Sequence, residues 1–198
     1  MYHMKNMVKE AAHRYNFISR EEYLEMDASS EERIEYYDGL ILAMSGASME
    51  HNIIDRNLVS ALHNHLKGKE CQVLPSHMRV SNPSQENYLY PDASIVCGKP
   101  ELEDSKFDTL TNPSVIFEIL SPSTKHADKR RKFFFYMQIP SLKEYIMIDS
   151  ERKNIIISRK QADNSWKFEE LNETATNLFI HTINFQLPLS ELYEGTNL

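Results

Sequence analysis

The chain has 198 residues, of which 41% are hydrophobic and 26% are charged, and its net charge is −7. This length and composition favour one globular domain, and the negative charge argues against a general nucleic-acid coat protein. No apolar run approaches the roughly 20 residues of a transmembrane helix and the first residues lack the pattern of a signal peptide, so we expect a cytoplasmic protein with no membrane partner.

The first part of the chain predicts an appended helix and a β-hairpin. We expect residues 1–18 to form a helical extension and residues 19–198 to form a single domain. Asp38-Gly39 is a strong signal for a two-residue turn, here between strands at 33–37 and 40–45.

Two helices are expected on either side of this hairpin. Ser19 and Glu22 have the spacing of a capping box, which begins a short helix. A longer helix at 48–67 has an apolar stripe and ends at Gly68. His51 lies near its start, where a lone histidine is more often a surface or core residue than a ligand.

Two acids occur where acids are disfavoured. Asp92 follows a proline and precedes a strand at 93–97. Glu118 lies inside an apolar strand at 115–120, on the same face as Leu120. Each acid alone is explained by a strand-end cap or a solvated strand edge. The two together favour a functional site, because a lone ionised carboxylate beside core residues is costly.

A lysine lies on the apolar face of the helix predicted at 128–139. Lys132 shares this face with Tyr136. Its amine can extend into solvent, pair with Asp128 one turn earlier, or meet a carboxylate of the strand on which the helix packs. These three alternatives stay open, and the basic residues 129–131 are expected to point elsewhere, into solvent.

The basic residues of this helix continue a basic segment that begins at residue 125, before the predicted helix body. Residues 125–132 contain five Lys or Arg residues and one Asp. Lys125 follows a predicted helix cap at Ser123 or Thr124. Such a segment suits contact with a phosphate, although a solvated surface is the commoner explanation.

Strands fill much of the remaining chain. Strands are expected at 71–80, 144–149, 154–159 and 166–171, a polar connection at 100–112, and a short helix at 189–193. Cys71 and Cys97 lie in strand-like stretches. We expect them to be buried free thiols in a reducing cytosol, rather than a disulfide or a zinc site.

These features together resemble the PD-(D/E)XK nuclease superfamily, and more closely the Uma-type restriction endonucleases of bacteria. The resemblance covers residues 19–185 and departs from the superfamily pattern at Leu120, where a lysine is usual. The Uma-type proteins share that departure, so Lys132 on the helix would replace the missing lysine. The matching residues are Glu35, Asp38-Gly39, His51, Pro91-Asp92, Glu118 to Thr124, Asp128, Lys132, Tyr136, Glu144-Tyr145 and Ile148-Asp149.

The resemblance implies an α/β (α+β) fold, a restriction-endonuclease-like mixed β-sheet flanked by helices. It implies an endonuclease that hydrolyses phosphodiester bonds in DNA. Asp92, Glu118 and the backbone carbonyl of Ile119 would hold Mg²⁺ or Mn²⁺, with Lys132 as the catalytic lysine. Glu35, otherwise an exposed strand residue, would be a further catalytic acid, the third of the metal site, which holds the metal or a water. Substrate contacts would come from His51, Lys125 and Tyr136.

Two alternatives of different function use the same residues. A catalytically inactive protein of this fold would bind nucleic acid or a protein partner, and Leu120 in place of the usual lysine favours it. A metal-dependent RNA nuclease would keep the same site. Enzymes that cut both strands of DNA often pair as two-fold dimers, which are also the commonest soluble assembly, so a homodimer is expected.

Overall fold

The computed structural model describes residues 17–44, 46–82, 84, 86–103, 108–120 and 128–198, with side chains described from Arg131 onward in the last of these ranges. The predicted helix at 1–18, the cap at Ser123 or Thr124, and Lys125 lie wholly or largely outside these residues. The helices are α1 (Arg20–Ser29), α2 (Met49–Leu66), α3 (Asp128–Tyr136) and α4 (Leu189–Leu192). The strands are β1 (Ile34–Tyr37), β2 (Leu40–Ala43), β3 (Cys71–Pro75), β4 (Arg79–Ser81), β5 (Asn87–Leu89), β6 (Ala93–Cys97), β7 (Thr109–Leu110), β8 (Val115–Leu120), β9 (Glu144–Asp149), β10 (Ile155–Lys160), β11 (Trp166–Leu171), β12 (Asn177–Ile180) and β13 (Phe185–Pro188).

The described strands form two mixed sheets and one hairpin. The larger sheet has the order β11-β10-β9-β8-β6-β3, and only its β8–β9 pair is parallel. The second sheet has the order β2-β1-β5-β4-β7, with a parallel β4–β7 pair. The hairpin consists of β12 and β13. The predicted mixed α+β architecture is confirmed.

Strand β8 is one of the two central strands of the larger sheet and is buried along its whole length. Val115, Phe117 and Ile119 lie in one core cluster with the apolar stripe of α2, including Leu58. The alternate residues lie in a second cluster with α3. Because strand side chains alternate, α2 and α3 cover opposite faces of this sheet.

Helix α1 and the hairpin β1–β2 form as predicted. Ser19 and Glu22 make a reciprocal capping box at the start of α1. Asp38 and Gly39 both have positive φ, as a two-residue turn between antiparallel strands requires. Tyr23 of α1 packs in a third core cluster beneath the second sheet.

The prediction of one strand at 71–80 is wrong. The structure divides it into β3 and β4, which belong to different sheets. Pro75 ends β3, and a turn closed by the Met78 N–H and the Pro75 carbonyl, 3.0 Å apart, carries the chain from the larger sheet to the second.

The prediction of two free thiols is also wrong. Cys71 and Cys97 form a disulfide with an S–S distance of 2.05 Å. The register of β3 against β6 places the two residues directly opposite each other. Antiparallel pairing therefore creates a contact between residues 26 apart in sequence, which no spacing motif reveals.

Candidate active site

Glu118 lies near the end of β8, where its carboxylate is buried under α3. Both carboxylate oxygens accept hydrogen bonds from the Lys132 amine at 3.2 Å. Tyr136 donates to Glu118 Oε1 at 2.9 Å. Lys132 and Tyr136 are one turn apart, so a single face of α3 presents both donors to one carboxylate. Lys132 thus meets an acid of the strand beneath it.

Glu35 reaches the same amine from the second sheet. Its Oε1 lies 2.9 Å from Lys132 Nζ and also accepts the Tyr90 N–H at 3.3 Å. Its Oε2 accepts the Tyr37 hydroxyl at 2.7 Å. Glu35 is 3% exposed, so its interpretation as an exposed strand residue is wrong. One ammonium therefore lies between two buried carboxylates.

Burial and neighbouring charges change the pKa values of Glu118 and Lys132. Burial raises the pKa of Glu118 to about 8, Lys132 opposes this shift, and the charges of Asp92 and Glu35 add to it. Burial alone would lower the pKa of Lys132. The Glu118 and Glu35 carboxylates outweigh burial and hold the pKa of Lys132 well above its ordinary value, so the amine stays charged.

Asp92 is fixed beside Glu118 at the start of β6. Ala93 is opposite Phe117 in the antiparallel pair. The residue before Ala93, which is Asp92, therefore lies level with the residue after Phe117, which is Glu118. Asp92 Oδ2 accepts the Ile119 N–H at 2.6 Å. The Ile119 N–H lies beyond the last residue pair of β6 and β8, so no backbone carbonyl of β6 faces it. The Asp92 carboxylate accepts its hydrogen bond instead.

His51, in the first turn of α2, holds the other oxygen of Asp92. Its Nε2 lies 3.2 Å from Asp92 Oδ1. Burial would lower the pKa of His51, but the hydrogen bond and charge of Asp92 raise it. Asp55 follows one turn later, and burial together with the Asp92 charge raises the pKa of Asp55 to about 6. Among the described residues, His51 Nδ1 and Asp55 Oδ1 are buried without a hydrogen-bond partner.

Arg131 is a neighbour of the site that the sequence does not single out. Its guanidinium carbon lies 4.2 Å from the ring centroid of Tyr37, whose hydroxyl binds Glu35. Arg131 is solvent-exposed, as expected, but it is directed at the site rather than away from it. The contact to Tyr37 joins Arg131 to the site across the fold, and no pattern in the sequence carries that contact.

The acids present suit a divalent cation. Within the described residues, no three His, Cys, Asp or Glu side chains are grouped as a ready-made metal site. Mg²⁺ does not require one, since it is commonly held by one or two carboxylates, with waters and substrate phosphate completing its coordination. Glu118 and Glu35 share the Lys132 ammonium, and the charge of Asp92 adds to theirs at Glu118, so a cation added between these acids would relieve their mutual repulsion.

Comparisons with known proteins agree with this architecture. Residues 20–190 match the Uma2 family, which is described as "Putative restriction endonuclease", and the chain belongs to that family. Two uncharacterized Synechocystis proteins are similar to it. One is 32% identical over 90% of this chain and 92% of its own length, and the other is 35% identical over 76% and 85%.

A solved structure shares the fold. The crystal structure of "a putative nuclease belonging to DUF820" from Anabaena variabilis superposes with a TM-score of 0.74 and covers 89% of this chain and 97% of its own. Its sequence identity is 17%, so the likeness concerns the fold. The predicted restriction-endonuclease-like fold is confirmed by this match.

Proposed function

We propose that the chain is a metal-dependent endonuclease that hydrolyses phosphodiester bonds in DNA. The observation that carries this proposal is the position of Lys132 between Glu35 and Glu118, beside the Asp92–Ile119 contact. Membership of the Uma2 family supports a nuclease activity for this arrangement.

Asp92, Glu118 and the main-chain carbonyl of Ile119 would hold Mg²⁺ or Mn²⁺. The N–H and C=O of one residue in a strand point to the same side. The Ile119 N–H is directed at Asp92. This direction supports the placement of the Ile119 carbonyl on the side of the strand that faces the Asp92 carboxylate. A bound cation of this kind lowers the pKa of a coordinated water and stabilises charge on the phosphate.

The residues around the acids would position the reacting groups. Lys132 would orient the attacking water or stabilise charge on the phosphate, while Glu35 holds its amine. His51 would fix the second oxygen of Asp92 and lie close to the backbone of the substrate, with Lys125 as a further phosphate contact. Tyr136 is fully buried with its hydroxyl on Glu118, so we assign it to hold Glu118 rather than to touch the substrate.

The test is nicking of a supercoiled plasmid in the presence of Mg²⁺. Asp92→Asn removes a metal ligand without changing side-chain volume, and we expect it to lose at least about 100-fold in rate while the melting temperature changes little. Asp163→Asn is the matched control, because Asp163 is exposed and caps the β10–β11 turn through Ser165. Retained nicking in Asp92→Asn would overturn the assignment.

Three finer features belong to the same proposal. DNA rather than RNA is the substrate, which parallel assays on both polymers decide. The protein is cytoplasmic, which is a reducing compartment where the Cys71–Cys97 bond is open to reduction. It forms a homodimer, whose mass sedimentation measures. A chain that binds no Mn²⁺ in calorimetry would instead be the inactive protein that the sequence leaves open as an alternative.

No helix among the described residues is both long and apolar enough to cross a membrane.

A further inference from the structure

An aromatic strip links α3 to the edge of the larger sheet. It consists of Phe133, Phe134, Trp166 and Phe168. Phe133 lies at the centre, with ring centroids 6.1 Å from Phe134, 5.7 Å from Trp166 and 5.3 Å from Phe168. Phe134 is 61% exposed and Phe168 is 58% exposed. The rings of Phe134 and Phe168 are therefore exposed to solvent, and they pack beside the half-buried rings of Phe133 and Trp166.

The strip begins next to the candidate active site. Phe133 directly follows Lys132 in α3. Register across the sheet leads from Glu118 through Met147 and Ile156 to Glu170, and Phe168 is the next residue on the same face of β11. Three strand spacings of about 4.8 Å place that edge roughly 15 Å from Glu118.

A cation accompanies the exposed rings. Arg131 lies one turn before Phe134, so both lie on the exposed side of α3. No carboxylate of a described residue is within ion-pair distance of Arg131, and its only partner there is the Tyr37 ring. A guanidinium stacked on a ring keeps its N–H edge free for the oxygens of a phosphate.

We propose that Arg131 and the aromatic strip bind a single-stranded segment of the nucleic acid that enters the active site. Bases stack on Phe134 and Phe168. Arg131 binds a phosphate of the same strand, between the stacked bases and the acids of the active site. Unpaired bases fit because only they offer a free ring face, whereas a duplex hides those faces in its own stack. This inference rests on the proposed nuclease function and names its substrate class.

The test measures binding without cleavage. The full chain in EDTA is titrated into fluorescein-labelled oligothymidine, oligouridine and a DNA duplex, and fluorescence anisotropy gives Kd. We expect the single strands to bind more tightly than the duplex. Phe134→Ala and Phe168→Ala should each weaken single-strand binding about tenfold and leave duplex binding unchanged. The two single strands distinguish DNA from RNA as the source of the bases.

Two matched controls accompany these variants. Phe179→Ala removes another partly exposed phenylalanine, on β12, and should leave every Kd unchanged. Arg131→Ala should lower the salt dependence of single-strand binding by about 0.7 in log–log slope, whereas Arg56→Ala, on the opposite face of the larger sheet, should not.

The outcomes separate this inference from the nuclease proposal. Unchanged single-strand binding in both phenylalanine variants would overturn it even if the plasmid is nicked. Weakened binding in these variants supports it even if no cleavage is found. A dimer in sedimentation that Phe134→Ala dissociates would also overturn it, because the strip would then be covered by a second copy of the chain.

Discussion

At the scale of single residues, Lys132 is the group on which the buried acids depend. Its amine contacts Glu35 and Glu118, and both carboxylates are nearly inaccessible to solvent. Removing one partner of such a cluster leaves uncompensated buried charge. We expect Lys132→Met to abolish nicking and to lower the free energy of unfolding by about 3–5 kcal/mol, measured by urea denaturation.

A double variant separates charge from packing in this prediction. Glu118→Gln added to Lys132→Met removes one of the stranded carboxylates, so it should recover at least about 1 kcal/mol of the loss. If the double variant is as unstable as the sum of the two single variants, the Glu118–Lys132 contact carries no coupling and the account of the cluster is wrong.

Asp55 gives the chain a dependence of stability on pH. Its pKa is raised from 3.8 to about 6 by burial and by Asp92, so its contribution to stability is present below pH 3.8 and lost as pH rises through about 6. In EDTA at about pH 8, Asp55→Asn should stabilise the fold by about 1–2 kcal/mol, a value reduced for the partial exposure of the site.

The gain from Asp55→Asn should disappear by about pH 4, where the wild-type carboxyl is protonated. Urea denaturation at the two pH values measures it. Asp163→Asn is the control of opposite sign, because hydrogen bonds from Ser165 lower the pKa of Asp163 and ionisation there favours the folded state. An Asp55→Asn chain less stable than wild type at pH 8 would contradict this prediction.

The sequence anticipates the acids and the lysine better than their surroundings. Glu118 and Lys132 are recognisable because each charge lies on an apolar stripe. Glu35 keeps its place in the strand pattern, and only the docking of its own sheet against α3 and the larger sheet buries it. Tyr37 and Arg131 join the site through tertiary contacts, so no local pattern reveals them.

At the scale of secondary-structure elements, local patterns predict some strands almost residue by residue. The strands at 144–149 and 166–171 have the predicted bounds, and the strand predicted at 154–159 occurs at Ile155–Lys160. Their alternating or continuous apolar character is a local property. The split of 71–80 depends instead on which sheet each half joins, and β12 and β13 were not predicted as strands at all.

The disulfide links edge strand β3 to β6, the strand that Asp92 precedes. It closes a loop with a sequence separation of 26. A crosslink of that span stabilises a fold mainly by restricting the unfolded chain, by about 3–4 kcal/mol. Cys71→Ser should therefore lower the free energy of unfolding by about that amount under non-reducing conditions.

Reduction provides the internal control for this prediction. Dithiothreitol should bring the wild-type chain to the stability of Cys71→Ser and leave that variant unaffected. Equal stability of the wild-type chain with and without reductant would contradict this prediction, because the disulfide would then contribute nothing to the free energy of unfolding.

At the scale of the whole molecule, the candidate site lies where the two sheets meet. Glu35 comes from the second sheet and Glu118 from the larger one. The three residues between β5 and β6 join these sheets, and they supply both Asp92 and the Tyr90 N–H that binds Glu35. Correct docking of the sheets is therefore a condition for the acids to converge.

A crystal structure of the full chain soaked in Mn²⁺ and recorded at a wavelength with manganese anomalous signal tests this convergence most directly. We predict a single anomalous peak coordinated by Asp92, Glu118 and the Ile119 carbonyl, with the Lys132 amine beside it. An empty site at saturating Mn²⁺, or manganese bound only elsewhere, would contradict the proposed metal-dependent nuclease.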